Sequence, residues 1–223
     1  MGLAGQHGYM YGSTENLWSM NYLRQVLIPQ NLQRAIKQVK RNKGSCGVDG
    51  MEVDELEGYF RANWTEIKSA IENGTFQPSK VLGVEIDKQD GGKRLLGIPT
   101  AIDRVIQQMI HRVLSPVYDV EFSTYSYGFR PGKNAHQAIH QALDYINSGY
   151  QDIIDLDLKS FFDVVNHDYL MSILYRKVKD ERLLRLIRKY LKAGMTLYDA
   201  EINREEGTPQ GSPLSPLLSN ILL

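Results

Sequence analysis

The 223-residue sequence has one cysteine, Cys46, which excludes an internal disulfide and suits a reducing, cytoplasmic setting. Surplus charge is lacking too: 26 Lys and Arg offset 26 Asp and Glu, so no global basic field announces a polyanionic partner. No apolar run approaches the ~20 residues of a membrane span, and the N-terminus lacks the basic-then-apolar order of a secretory signal. The five histidines show no metal-ligand spacing, and there is no internal repeat or low-complexity tract. These absences leave a non-membrane chain long enough to bury one good-sized core.

The balance is uneven locally. Residues 31–47 carry Arg34, Lys37, Lys40, Arg41 and Lys43 with no acid, a patch able to meet phosphates or to serve as a solvated helix face. A second basic run, residues 176–192, sets eight Lys or Arg against Asp180 and Glu181.

The stretch DIIDLDLKSFFDVVNHD, Asp152–Asp168, organises the rest. Its alternation predicts a strand with Ile154, Leu156 and Leu158 on one face and Asp155 and Asp157 on the other. Aspartate is disfavoured in strands and costly to bury unpaired, so the acidic face should open onto water or cations. Lys159-Ser160-Phe161-Phe162 then turns the chain toward a helix starting near Asn166, with Tyr169, Leu170, Ile173 and Leu174 as its apolar stripe. An acid at the end of a strand with an aromatic pair just after it suits a nucleotide-polymerising palm.

In chain order, residues 1–13 read as a loose, tag-like leader. Helices are predicted over Glu15–Leu27 and Pro29–Asn42, then, after a Gly-rich loop at 44–50, over Asp54–Phe60 and Trp64–Glu72 with Asn63 or Thr65 as a cap. Strands over 80–86 and 93–98 flank the turn formers Asp90-Gly91-Gly92, placing Lys88, Lys93 and Arg94 at or beside a hairpin tip. A core helix follows over Ala101–Tyr118. The loop Tyr125–Lys133 is dense in aromatics, glycine and cations, and further helices are expected over Asn134–Asn147 and Asp180–Leu191. A hairpin over Thr196–Asn203 leads into Gly207-Thr208-Pro209-Gln210-Gly211-Ser212-Pro213, a rigid turn from which Gln210 projects. The last seven residues continue an apolar helical pattern without a stop signal, which reads as a truncated chain.

Four ordered blocks, GSCGVDG, KRLLGIPTAIDRVIQQ, YSYGFRPGKNAHQA, and the DIIDLDLKSFFDVVNHD stretch with GTPQGSPLSPLLSN, resemble the reverse transcriptase domain of group II intron-encoded proteins, or intron maturases. The resemblance implies an α+β right-hand polymerase: an N-terminal extension and fingers over 14–150, and a partial palm over 151–223, built on an antiparallel sheet packed with helices. It implies an RNA-directed DNA polymerase that also binds group II intron RNA to aid splicing. Its partners would be an RNA template, a DNA primer, deoxynucleoside triphosphates and Mg²⁺; a homodimer is left open.

Residue by residue, the resemblance makes Asp157 and the carbonyl of Leu158 metal ligands, Phe162 the barrier to a ribose 2′-hydroxyl, and Gln210 the neighbour of the nascent base pair. Lys88 and Arg94 would bind the triphosphate; Arg130 and Lys133, in the loop where Tyr127 and Phe129 read as core plugs, would meet the template. A second acidic pair, in a Tyr-Ala-Asp-Asp turn, would lie beyond Leu223. Asp155, about 6.5 Å from Asp157 along a strand, reads as a hydrogen-bonding residue of the cleft wall. Asp163 reads as a helix-start acid or ion-pair partner. Two rival readings remain: an RNA-binding splicing cofactor with secondary polymerase activity, and the reverse transcriptase of another bacterial retroelement.

Overall fold

In the computed structural model, residues 21–87, 91–198 and 200–223 are described; the leader, the start of the first expected helix and Lys88 lie outside them. Among the described residues, eight α-helices and a four-stranded sheet make an α+β fold.

Helix α1 (Tyr22–Val26) runs into α2 (Pro29–Asn42), where proline at the first helical position costs no hydrogen bond. Leu32, Ala35, Ile36 and Val39 recur at the helical period and are buried, leaving the basic residues on the opposite face. Helix α3 (Leu56–Glu72) is continuous, where two helices divided near Asn63 were expected. The Asn63 side chain donates to the carbonyl of Tyr59 one turn earlier, so it is satisfied inside the helix and caps nothing. The real start lies upstream, where Glu52 and Glu55 form a reciprocal capping box.

Helix α4 (Ala101–Asp119) is the central pillar, capped by Thr100, whose hydroxyl accepts from the amide of Asp103. Ile106, Met109, Ile110 and Leu114 are fully buried against α1, α2 and α8 (Ser215–Leu222). Helices α6 (His167–Lys177) and α7 (Glu181–Lys192) close the other side. Leu183, Leu184, Leu186, Ile187, Tyr190 and Leu191 of α7 are buried, and the N-cap Asp180 also accepts from the amide of Leu23, tying α7 to α1.

Strands β1 (Val81–Asp87) and β2 (Lys93–Ile98) form the expected antiparallel hairpin. Strands β3 (Met195–Leu197) and β4 (Ala200–Ile202) form a second one, and the sheet order is β2-β1-β3-β4. The expected antiparallel sheet is corrected at one joint, because β1 and β3 run parallel through the pairs Val81↔Met195 and Leu82↔Thr196.

The largest departure is at 153–158, which forms no strand. Ile153, Ile154 and Leu156 are 80–88% exposed, and no strand lies beside them among the described residues. Alternation gives the segment two faces, but a strand also needs a hydrogen-bonding neighbour. Helix α5 (Ala135–Asn147), just before it, buries none of its residues. No helix among the described residues is long and apolar enough to cross a membrane.

Candidate active site

The turn at 207–212 docks onto the segment after Asp157 through backbone hydrogen bonds. The Gly207 amide donates to Val165 O at 2.8 Å and the Thr208 amide to Phe162 O at 2.7 Å. On the other side, the Gly97 amide of β2 donates to Gln210 O at 2.8 Å. Gly207 has φ +80°, and a Cβ there would lie 2.7 Å from Asp163 O, so both conformation and space require glycine. His167, buried at the start of α6, donates from Nε2 to the Gly207 carbonyl at 2.7 Å. It is therefore a latch on the turn as well as a helix-start residue.

Ser160 adopts a left-handed conformation that sets up the 3-10 turn Phe161–Asp163. The turn carries Phe162 to the cleft, with its ring edge-on to Phe161 at 6.0 Å. A cavity of about 840 Å³ is lined by Arg94, Asp157, Leu158, Phe162, Asp163 and Gln210 among others. The polar side chains form a chain across it: Arg94 Nε donates to Gln210 Oε1 at 2.7 Å, and Gln210 Nε2 donates to Asp163 Oδ1 at 3.3 Å. Asp157 has no ion pair among the described residues. Its carboxylate can therefore meet an incoming cation.

Asp163 lies in the first turn of the 3-10 helix, as a helix-start acid was expected to, and also accepts from Gln210. Asp155 is exposed and makes no hydrogen bond among the described residues, correcting its reading as part of the cleft wall. One residue beside Asp163 was missed. Arg204, beside Asp163, has its pKa pulled down by burial against the opposing pull of the Asp163 charge, and its Nη1 is unpartnered. Lys93 pairs with Glu85 at 2.6 Å; that hydrogen bond lowers the Glu85 pKa and raises that of Lys93. Lys93 is exposed and Glu85 half-buried, so solvent screens the pair and it adds little stability.

The expected nucleic-acid contacts divide. Arg34, Lys37, Arg41 and Lys43 are exposed on α2 and its C-terminal cap, whereas Lys40 is engaged by Glu57 at 3.1 Å. Arg130 corrects the template expectation. It pairs with Asp119 at 2.8 Å, its guanidinium also donates to the carbonyls of Asp119, Ser123 and Ser126, and its side chain is 7% exposed. It is a clamp holding its own loop. Lys133 donates to Thr124 O at 2.9 Å and lies over the Tyr127 ring. Phe129, expected to plug the core, is 72% exposed.

Among the described residues no group of three or more His, Cys, Asp or Glu comes together to hold a metal. The donors at the cleft nonetheless fit a hard divalent cation. A carboxylate and a main-chain carbonyl, from Asp157 and Leu158, suffice for an ion that completes its shell with water and substrate phosphate oxygens.

The family model for "Reverse transcriptase (RNA-dependent DNA polymerase)" matches residues 86–223. The Escherichia coli K12 protein YkfC is 35% identical over 90% of this chain and 54% of its own length. The group II intron-encoded protein LtrA of Lactococcus lactis is 33% identical over 90% of this chain and 33% of its own. The chain thus spans about half or less of these relatives. Among solved structures, a partial Cas6-RT-Cas1–Cas2 complex matches 92% of this chain and 34% of its own, with a TM-score of 0.62 and 25% identity. With the family model covering 86–223, this chain belongs to the reverse transcriptase (RNA-dependent DNA polymerase) family, and intron-encoded proteins are among its relatives.

Proposed function

We propose that the chain is the fingers and partial palm of an RNA-directed DNA polymerase that extends a DNA primer on an RNA template, with group II intron RNA as a further partner. The shared cavity of Asp157, Phe162, Gln210 and Arg94 carries this reading. Mg²⁺ is the cation of choice for Asp157 and Leu158, and when bound it supplies charge neutralisation for phosphoryl transfer. Arg94, whose fork suits phosphate oxygens, binds and orients the triphosphate, with Lys88 as the second cation of the proposal. Phe162 excludes a 2′-hydroxyl by its bulk. Gln210, held by Arg94 and Asp163, presents a fixed edge to the nascent base pair.

One carboxylate cannot serve two metal ions, so this chain alone is expected not to extend a primer; Mg²⁺-dependent incorporation by it would contradict that. Binding is the direct test. With Mg²⁺ present, the chain should bind deoxynucleoside triphosphates in preference to ribonucleotides. Asp157→Ala should remove the Mg²⁺-dependent part of that binding, and Phe162→Ala should abolish the sugar preference. If both variants behave as wild type, the polymerase reading fails.

A second reading, an RNA-binding splicing cofactor, is favoured by the exposed face of Arg34, Lys37, Arg41 and Lys43, which has no ion pair among the described residues. Filter binding to an intron RNA over a salt series tests it: neutralising these four should weaken binding and flatten the salt dependence.

A further inference from the structure

Arg104 sits on the first turns of α4, 7% exposed, inside the KRLLGIPTAIDRVIQQ block, where the resemblance assigns it no role. Its Nε and Nη2 are buried without a hydrogen-bond partner, and it has no ion pair among the described residues. An unpaired buried charge is expensive; it persists where a partner arrives from outside or a function requires it. Burial lowers the Arg104 pKa, opposed by the charges of Asp49, Cys46 and Glu52, none of which forms an ion pair or hydrogen bond with it among the described residues.

The guanidinium lines a second cavity of about 540 Å³. Arg94, Phe162 and Gln210 line both this cavity and the one holding Asp157, so these three form a partition between two compartments. The second compartment has two arginines and no carboxylate in its lining, and the exposed ring of Phe129 stands at it. Gly44 lines it too, and a Cβ there would press on Arg104 Nη1. Cations beside an aromatic platform are what a single-stranded nucleic acid requires.

We propose that Arg104 is a template-binding residue, taking a phosphodiester of the RNA strand in the compartment across the partition from Asp157, with Gly44 providing the approach. This rests on the polymerase reading: one compartment takes the triphosphate and cation, the other the strand that pairs with it. The planar guanidinium fork matches two phosphate oxygens in a way a lysine does not.

The test is fluorescence anisotropy of the 223-residue chain with a short labelled single-stranded RNA over a KCl series, alongside dATP binding with Mg²⁺ and thermal melting of the free protein. Arg104→Met should weaken RNA binding about tenfold or more, as loss of a charge-assisted hydrogen bond does. It should also reduce the salt slope by about one. Arg104→Lys should recover the slope but only part of the affinity, and Gly44→Ala should weaken RNA binding in the same direction. dATP binding should be unchanged, and the Arg104→Met protein should melt no lower than wild type because an unpaired buried charge is gone.

Unchanged RNA affinity and slope in Arg104→Met would overturn the proposal. So would loss of dATP binding with RNA binding intact, which would give the phosphate to the nucleotide. A lower melting temperature for Arg104→Met would assign Arg104 a structural role instead. If the wild-type chain binds no RNA at any salt, the polymerase reading falls with it; if wild type binds and Arg104→Met binds equally, only the role of Arg104 falls.

Discussion

Helices α4 and α5 carry comparable apolar stripes and have opposite fates. In α4, Ile106, Met109, Ile110 and Leu114 are fully buried; in α5, Ile139, Leu143 and Ile146 are each about half exposed and the helix buries nothing. Both have good caps: Thr100 for one, and the reciprocal pair Asn134 and Gln137 for the other. Capping and periodicity therefore determine that a helix exists, while neighbours determine how firmly it is held. The cleft lies along this divide. Arg94 and Gln210 are tied to the firm side through β2, whereas Asp157 comes from the uncovered segment that follows α5.

The comparison breaks most readily by truncation. Met109→Ala should cost about 2–5 kcal/mol, whereas Leu143→Ala should stay within about 0.5 kcal/mol. Urea denaturation of both variants gives the contrast, and equal losses would mean that α5 is covered in solution. Gly207→Ala, which forces a side chain onto the carbonyl of Asp163, should cost of the order of 1–3 kcal/mol by the same measurement and reduce nucleotide affinity by misplacing Gln210. Arg130→Lys should destabilise by about 1–2 kcal/mol through lost hydrogen bonds while leaving the salt slope of RNA binding unaltered; a slope that falls by about one would return it to the phosphates.

The smallest effect concerns His111, whose pKa is held below the ordinary histidine value, first by burial and then by Arg112. As pH falls through that value the unfolded chain takes up the proton first. This part of the stability is thus present above the ordinary histidine range and is lost below it. Melting curves from neutral to mildly acidic pH should show a decline that His111→Gln makes shallower.

Much of this could be read from residue order. Pro29–Asn42 and the hairpin around Asp90-Gly91-Gly92 were legible because periodicity, a leading proline and turn formers all agreed. The segment 153–158 was misread because alternation tells where side chains would point, not whether a neighbouring strand exists. Asn63 misled because an amide that caps a helix can equally bond back along one. Arg130 resembled a ligand contact since nothing in YSYGFRPGK reveals that several carbonyls converge on it. Asp157, Phe162 and Gln210 were found as a set by motif order, and the structure brings them to one cavity. Arg104 was not singled out: it shares the polar side of α4 with Gln107, Gln108 and His111, and residue order does not tell that its guanidinium is buried without a partner.

The chain of hydrogen bonds from Arg94 through Gln210 to Asp163 has a mechanical consequence. Arg94 is on the fingertip hairpin and Gln210 is also anchored by main chain to Gly97 of the same strand, so the fingertip cannot swing toward a substrate without dragging the glutamine or snapping its bonds. With the roles proposed above for Arg94 and Gln210, grip on the phosphates and contact with the base pair would be geared together: a mispaired nucleotide that displaces Gln210 would loosen the hold on its own triphosphate.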